Sequence, residues 1–255
     1  MSILWDLISD PISLIVFAMY GSLILWEAMA PARPLPPVRA WRLRGLGMFA
    51  FTFLLSSFLP LLWTDAFAHV RLFDLTGLDK WTGAFVGFVV YEAGVYFWHR
   101  TMHGSRTLWL SFHQMHHSAE RLDTFGAFWT GPLDTVGWTA LSTLCLTSVV
   151  GVSGEAAVPV LYATTFLSIF QHANLRTPRW LGYFIQRPEA HSYHHGRGVH
   201  ANNYSDLPIF DILFGTFHNP SRFAPATGFY DGASSRFVEM LRFRDVSTPR
   251  LGTAN

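Results

Sequence analysis

Residues 81–103 read WTGAFVGFVVYEAGVYFWHRTMH. Eighteen residues, 81–98, hold a single charge, Glu92, and approach the roughly 20 apolar residues that a bilayer core requires. The stretch then ends on His99-Arg100-Thr101-Met102-His103, two imidazoles four residues apart. On a helix, positions i and i+4 share a face. The segment therefore predicts a membrane helix that delivers two metal-ligand side chains at its exit.

Four more apolar runs flank it. Residues 11–28 and 46–63 precede it, and 133–150 and 156–170 follow, the last two joined by Gly151-Val152-Ser153-Gly154-Glu155 as a helical hairpin. Pro60 predicts a kink near the end of the second run. Residues 64–80 mix Asp65, Asp74 and Asp79 with apolar side chains, the pattern of a short interfacial helix. The first ten residues hold Asp6 and Asp10 and no basic residue, so the first run is read as a permanent span rather than a cleaved leader. The expected fold is all-α: a polytopic membrane bundle of four to five transmembrane helices with a cytoplasmic, histidine-rich di-metal cap. Residues 1–255 form one unit whose motif core is 92–220.

Composition agrees. Half of the 255 residues are apolar and only 14% are charged, against roughly 25% in soluble domains. Net charge is +1, which offers no field for nucleic acid. The single cysteine, Cys145, excludes an internal disulfide and any cluster that needs several thiolates. Arg33, Arg39, Arg42 and Arg44 fill the first connector and place it in the cytoplasm by the positive-inside rule. Five crossings then put residues 99–132 and everything after His172 on the same side. Lys80 is the only lysine, and this preference for arginine points to a GC-rich bacterial genome and an inner-membrane location.

Nine of the twelve histidines fall in four places. Beside His99 and His103 stand His113-Gln114-Met115-His116-His117, the single His172 in Gln171-His172-Ala173-Asn174, and His191-Ser192-Tyr193-His194-His195. An HxxHH box on a helix is expected to present three imidazoles to one point. Neutral imidazole suits iron, copper, nickel or zinc. Nine are too many for one tetrahedral zinc; they fit two neighbouring metals with about four histidines each. His69, His200 and His218 stand alone and are read as ordinary capped or solvated side chains.

Glu92 lies seven residues before His99, on the same stripe and roughly 10 Å deeper at 1.5 Å per residue. That depth argues against direct ligation of the metal that His99 and His103 would hold. The expected role is to accept a ring N–H from a ligating histidine, through Tyr96 or water. Asn174 is placed to orient a metal-bound water. Phe112, Phe125, Phe128 and Trp129 are candidates for an apolar substrate tunnel, and Arg100 and Arg121 for the cytoplasmic interface.

The ordered set resembles the fatty acid hydroxylase/sterol desaturase superfamily of membrane di-iron enzymes. It comprises an acid at 92, Tyr-Phe-Trp-His-Arg-x-x-His at 96–103, HxxHH at 113–117, Gln-His-x-Asn at 171–174, HxxHH at 191–195, then Asn203-Tyr204 and 211–216. Members often carry aspartate where this chain has Glu92. Some extend the last box to HHxxHH, where Glu189-Ala190 stand here. Members often have a basic or histidine residue before the Pro-Leu-acid motif, which here reads Trp129-Thr130-Gly131-Pro132-Leu133-Asp134. The resemblance implies two irons (with zinc able to replace them on purification), dioxygen, and a membrane lipid such as a fatty acyl or sterol substrate. Hydroxylation is the expected outcome and desaturation the alternative. The chain holds no haem signature, CxxC or dinucleotide fingerprint, so electrons are expected from a separate ferredoxin or cytochrome b5-like donor. A membrane zinc hydrolase is the competing class, but Arg100 stands where an HExxH enzyme needs its glutamate. A transporter would gather its ligands at mid-membrane.

Overall fold

The computed structural model describes residues 3–249. The five apolar runs are five helices, and among the described residues there is no strand, only an isolated bridge between Gly196 and Thr227. Helix α1 is Pro11–Met29, α2 Trp41–Phe58, α3 Lys80–Gly104, α4 Pro132–Thr143 and α5 Gly154–His172. Local chemistry sets their starts. Asp10 accepts from the Ile12 N–H at 2.8 Å with Pro11 at the first helical position, Asp79 from the Trp81 and Thr82 N–H groups at 3.1 and 3.2 Å, and Ser153 from Ala156 N–H at 3.2 Å. At Pro60, which has no N–H to donate, α2 tightens into a 3-10 turn, Leu59–Leu62, as the sequence predicts.

Two helices are long and apolar enough to cross a membrane among the described residues, Pro11–Met29 and Trp41–Leu62. Of the other three, α4 has only 12 residues, while α3 carries Glu92, His99 and His103 and α5 carries Thr164, Thr165, Gln171 and His172. Helix α5 packs along α3 most extensively, and small residues permit it. A Cβ on Gly83 would lie 3.0 Å from the Ala156 methyl. At its far end α5 meets α1 and the short helix Pro188–His194.

Two expectations change. Within 64–79 only Thr64–Ala68 is helical; the chain beyond it runs irregularly, and Leu72 and Phe73 donate to the Ser148 and Val149 carbonyls in the π-helical segment Leu144–Val149 that follows α4. The segment from Arg244 onward is expected to be loose, yet residues 244–248 are docked. The Gln114 side chain donates to the Arg244 carbonyl at 2.9 Å and accepts the Val246 N–H at 3.0 Å, and Val246 is fully buried. Residues 250–255 lie outside the described residues.

Candidate metal centre

The nine histidines come together, but not as three per box. His99, His103, His113, His117 and His194 form one group, and His116, His172, His191 and His195 the other. In each group the candidate ligand atoms lie within 4.8 Å of one another. Helical geometry explains the split. Successive residues turn by about 100°, so i+3 and i+4 fall on either side of i and point to different centres. His116 and His117 thus part company, as do His194 and His195. The sequence reading of each HxxHH box as three ligands for one point is corrected accordingly. Trp109–His113 also forms a π turn just before the second box, which rotates His113 relative to an ordinary helix.

Hydrogen bonds orient the rings. The Nδ1–H of His99 donates to the Tyr204 carbonyl at 2.9 Å, that of His103 to His200 O at 2.9 Å, and that of His113 to the Asp134 carboxylate at 3.1 Å. His116 donates to Trp129 O at 3.3 Å, His172 to Ser168 O at 2.6 Å and His194 to Asn202 O at 2.6 Å. Each of these partners only accepts, so the ring proton sits on Nδ1 and the lone pair on Nε2. Those Nε2 atoms point at one another: His99 to His113 at 2.9 Å, His116 to His172 at 3.0 Å. His191 Nε2 continues the second group, 3.0 Å from His172 and 3.1 Å from His195. Facing lone pairs repel, and a cation between them removes the repulsion. The Nε2 atoms of His103, His117 and His194 are buried with no hydrogen-bond partner among the described residues. This donor set fits a metal in each group.

Burial keeps the rings neutral. Desolvation lowers the pKa of His113, His116, His117, His191, His194 and His195 well below the ordinary imidazole value, with repulsion from neighbouring histidines adding to it. At neutral pH the lone pairs are therefore available.

A cavity of about 490 Å³ opens beside both groups, reaching His99 and His113 of one and His116, His172 and His191 of the other. Of the four aromatics expected to line a tunnel, Phe128 does. Phe112 instead packs edge-on to Trp98 and Trp129 against Trp41, while Phe125 lies beneath Arg42. The wall is richer in hydroxyls than the sequence suggests, with Thr135, Thr139 and Ser142 from α4 and Thr164 and Thr165 from α5.

Two other assignments shift. Glu92 is fully buried, but its Oε2 accepts from Ser205 Oγ and the Leu207 N–H, both at 3.2 Å, rather than from a histidine. It holds the loop whose Tyr204 carbonyl orients His99. Tyr96 bonds elsewhere, to Thr216 and Arg100. Asn174 leaves its Oδ1 buried without a partner among the described residues, while its N–H groups are engaged. Its amide donates to Arg33 O at 2.7 Å and its backbone N–H to Glu27 at 3.0 Å, tying the end of α5 to the first connector.

His200 is more than an ordinary side chain. Its carbonyl orients His103, and its Nδ1 lies 3.0 Å from Nδ1 of His117, so it can take the proton that His117 must carry there. Its backbone is left-handed, φ 43°, in a run with Asn202 and Asn203 at 68° and 54°. Asparagine favours that conformation, which is the one sequence signal for the loop. His69 is exposed, and His218 packs on Tyr193. Asp134 stands in the motif at 129–134, but no spacing rule ties it to His113.

The chain belongs to the fatty acid hydroxylase family, whose model matches residues 84–216 and so takes in both histidine groups whole. It is similar to the ornithine lipid hydroxylase OlsE of Rhizobium tropici, 33% identical over 152 residues, which cover 56% of this chain and 45% of that protein. The chain thus spans about half the length of that relative. No solved structure matches.

Proposed function

We propose that this protein hydroxylates a C–H bond of a membrane lipid, using dioxygen and two irons held by His99, His103, His113, His117 and His194 in one group and His116, His172, His191 and His195 in the other. The observation that carries the reading is the convergence of two sets of buried, neutral imidazoles, lone pairs inward, on one cavity. Iron bound there supplies the oxidising chemistry. The protein's own part is to fix the rings. Asp134 and the carbonyls of Tyr204, His200, Trp129, Ser168 and Asn202 hold the Nδ1 protons, and burial excludes water from the ligands.

The family supports a lipid substrate, and the relative's name favours a polar membrane lipid and hydroxylation over desaturation. A wall carrying hydroxyls beside apolar groups suits a substrate with an oxygen-bearing portion near the reacting carbon. Two electrons and two protons reduce the second oxygen atom to water, and a separate ferredoxin or cytochrome b5-like donor delivers the electrons. The five helices span the bilayer with the histidines at its cytoplasmic face, in keeping with the arginines of the first connector.

The test is anaerobic purification in detergent, metal analysis and Mössbauer spectroscopy, followed by incubation with ornithine lipid or phospholipid, a chemical reductant and labelled dioxygen. One labelled oxygen atom in the lipid is the expected result. A protein that binds two irons, yet converts none of these lipids and reacts with no other, overturns it.

A further inference from the structure

We infer that residues 204–216 form a re-entrant membrane insertion beside α3, with the helix Pro208–Leu213 in contact with lipid. This rests on the reading of α3 as a span. The crossing count puts everything after His172 on the cytoplasmic side, but contacts along α3 give these residues a depth. Tyr204 O bonds His99 at the exit of the helix. Leu207 N–H and Ser205 Oγ then bond Glu92, seven residues and roughly 10 Å further down α3 at 1.5 Å per residue. After the short helix, Phe214 stacks on Tyr96 at 5.0 Å, and Thr216 bonds the Tyr96 hydroxyl at 3.1 Å. The chain descends, turns and returns.

What it exposes is apolar. Ile209, Ile212, Leu213 and Phe214 are 48, 43, 67 and 46% exposed. The one charged residue in 207–218, Asp211, is buried. The patch continues onto the outer face of α3 at Phe97 and onto the neighbouring 3-10 turn Arg179–Tyr183 and Phe184, where Trp180, Tyr183 and Phe184 are exposed. Trp and Tyr favour the bilayer interface, and the exposed Arg176 and Arg179 flank this end as partners for lipid phosphates.

The backbone is prepared for lipid as well. Irregular chain at membrane depth must satisfy its N–H groups internally. Asp211 takes those of Tyr204 and Ser205, at 2.8 and 3.1 Å, Glu92 takes that of Leu207, and the Asp206 carbonyl accepts from Gln186 at 2.8 Å. This gives the buried acid in α3 a reason.

The chain has one native cysteine, so nitroxides can be placed singly in a Cys145→Ala background. The sites are Leu213→Cys and Phe184→Cys, with Phe85→Cys on the exposed face of α3 as lipid control and Arg222→Cys as aqueous control. The metal-loaded protein is reconstituted in vesicles of phosphatidylethanolamine and phosphatidylglycerol. Labels at 213 and 184 are expected to collide with oxygen several-fold more, relative to a water-soluble nickel chelate, than the label at 222. Values at 213 like those at 222, with 85 lipid-like, overturn the insertion and leave the span. Aqueous values at 85 too overturn both readings. Dipolar coupling between labels at 213 on two copies, with oxygen excluded, means that a second chain covers the patch and overturns the lipid contact. Independently, quenching of indole fluorescence by brominated lipid is expected to fall in Trp180→Phe; no change counts against insertion of that turn.

Discussion

His117 and His195 lie face to face, ring centroids 4.1 Å apart and planes 12° from parallel, although each belongs to a different histidine group. The two groups therefore share a wall. They are unequal: one has five imidazoles, the other four. A group of four has no ligand to spare for a metal that needs about that number. We expect His172→Ala to remove about half of the bound iron, and His103→Ala, which leaves four rings in its group, to remove less. Metal analysis with Mössbauer spectra of each variant checks this; equal losses would contradict the five-and-four division.

Asp134 anchors His113 from α4, and both side chains are almost fully buried. Asp134→Asn keeps an acceptor for the Nδ1–H but removes the charge that makes the ring a stronger donor. Asp134→Ala removes both. Loss of such an outer partner costs about 10–100-fold in metal affinity or activity. The order expected is wild type, then Asn, then Ala, read by competition with a chelator.

At His200 the backbone and the ring act separately. The left-handed φ costs an ordinary residue about 1–2 kcal/mol, less for asparagine and most for a β-branched one. His200→Asn should keep the carbonyl where His103 needs it and retain most of the bound metal. His200→Val should lower the melting temperature and release metal. If the two variants behave alike, the conformation is not what matters at this position.

The metal-free protein should be acid-sensitive. Burial lowers the His200 pKa from 6.5, that of free imidazole, to about 4 in the folded chain. Between those values the unfolded chain binds more protons, so stability is full above about 6.5 and falls as pH drops toward about 4. Melting temperatures of chelator-treated protein across that window test the sign. Bound metal should protect, because it competes with the same protons.

The cavity offers a separable test. Thr139 lines it on α4, one turn beyond Thr135. Thr139→Leu adds volume to open space rather than to packed core, so its effect on folding is expected to stay within about 1–3 kcal/mol. Lipid turnover should fall several-fold while iron content and spectra stay unchanged. A parallel loss of iron would mean that the side chain supports the metals instead of facing substrate.

How much of this was legible in advance follows from physical range. Five helices and nine inward-facing histidines could be read from residues 11–195 because apolar run length, caps and i, i+4 spacing are local properties. The same local rule, followed one step further, would also have divided His116 from His117. The partners of the rings are another matter. Asp134 to His113, Tyr204 to His99 and His200 to His117 join residues 21, 105 and 83 positions apart, and no periodicity carries across such gaps. Glu92 shows the limit most clearly. Its depth in α3 was evident from the helical rise, but its partners, Ser205 and Leu207, come from a segment that looks aqueous by charge count and returns to the helix only in the folded chain. The sequence by itself determined the helices and the donor atoms, which depend on near neighbours. Tertiary structure alone decided which boxes share a centre, which acceptors hold the Nδ1 protons of His99, His103, His113, His116, His172 and His194, and what lines the cavity, because those depend on where distant backbone carbonyls and carboxylates come to rest.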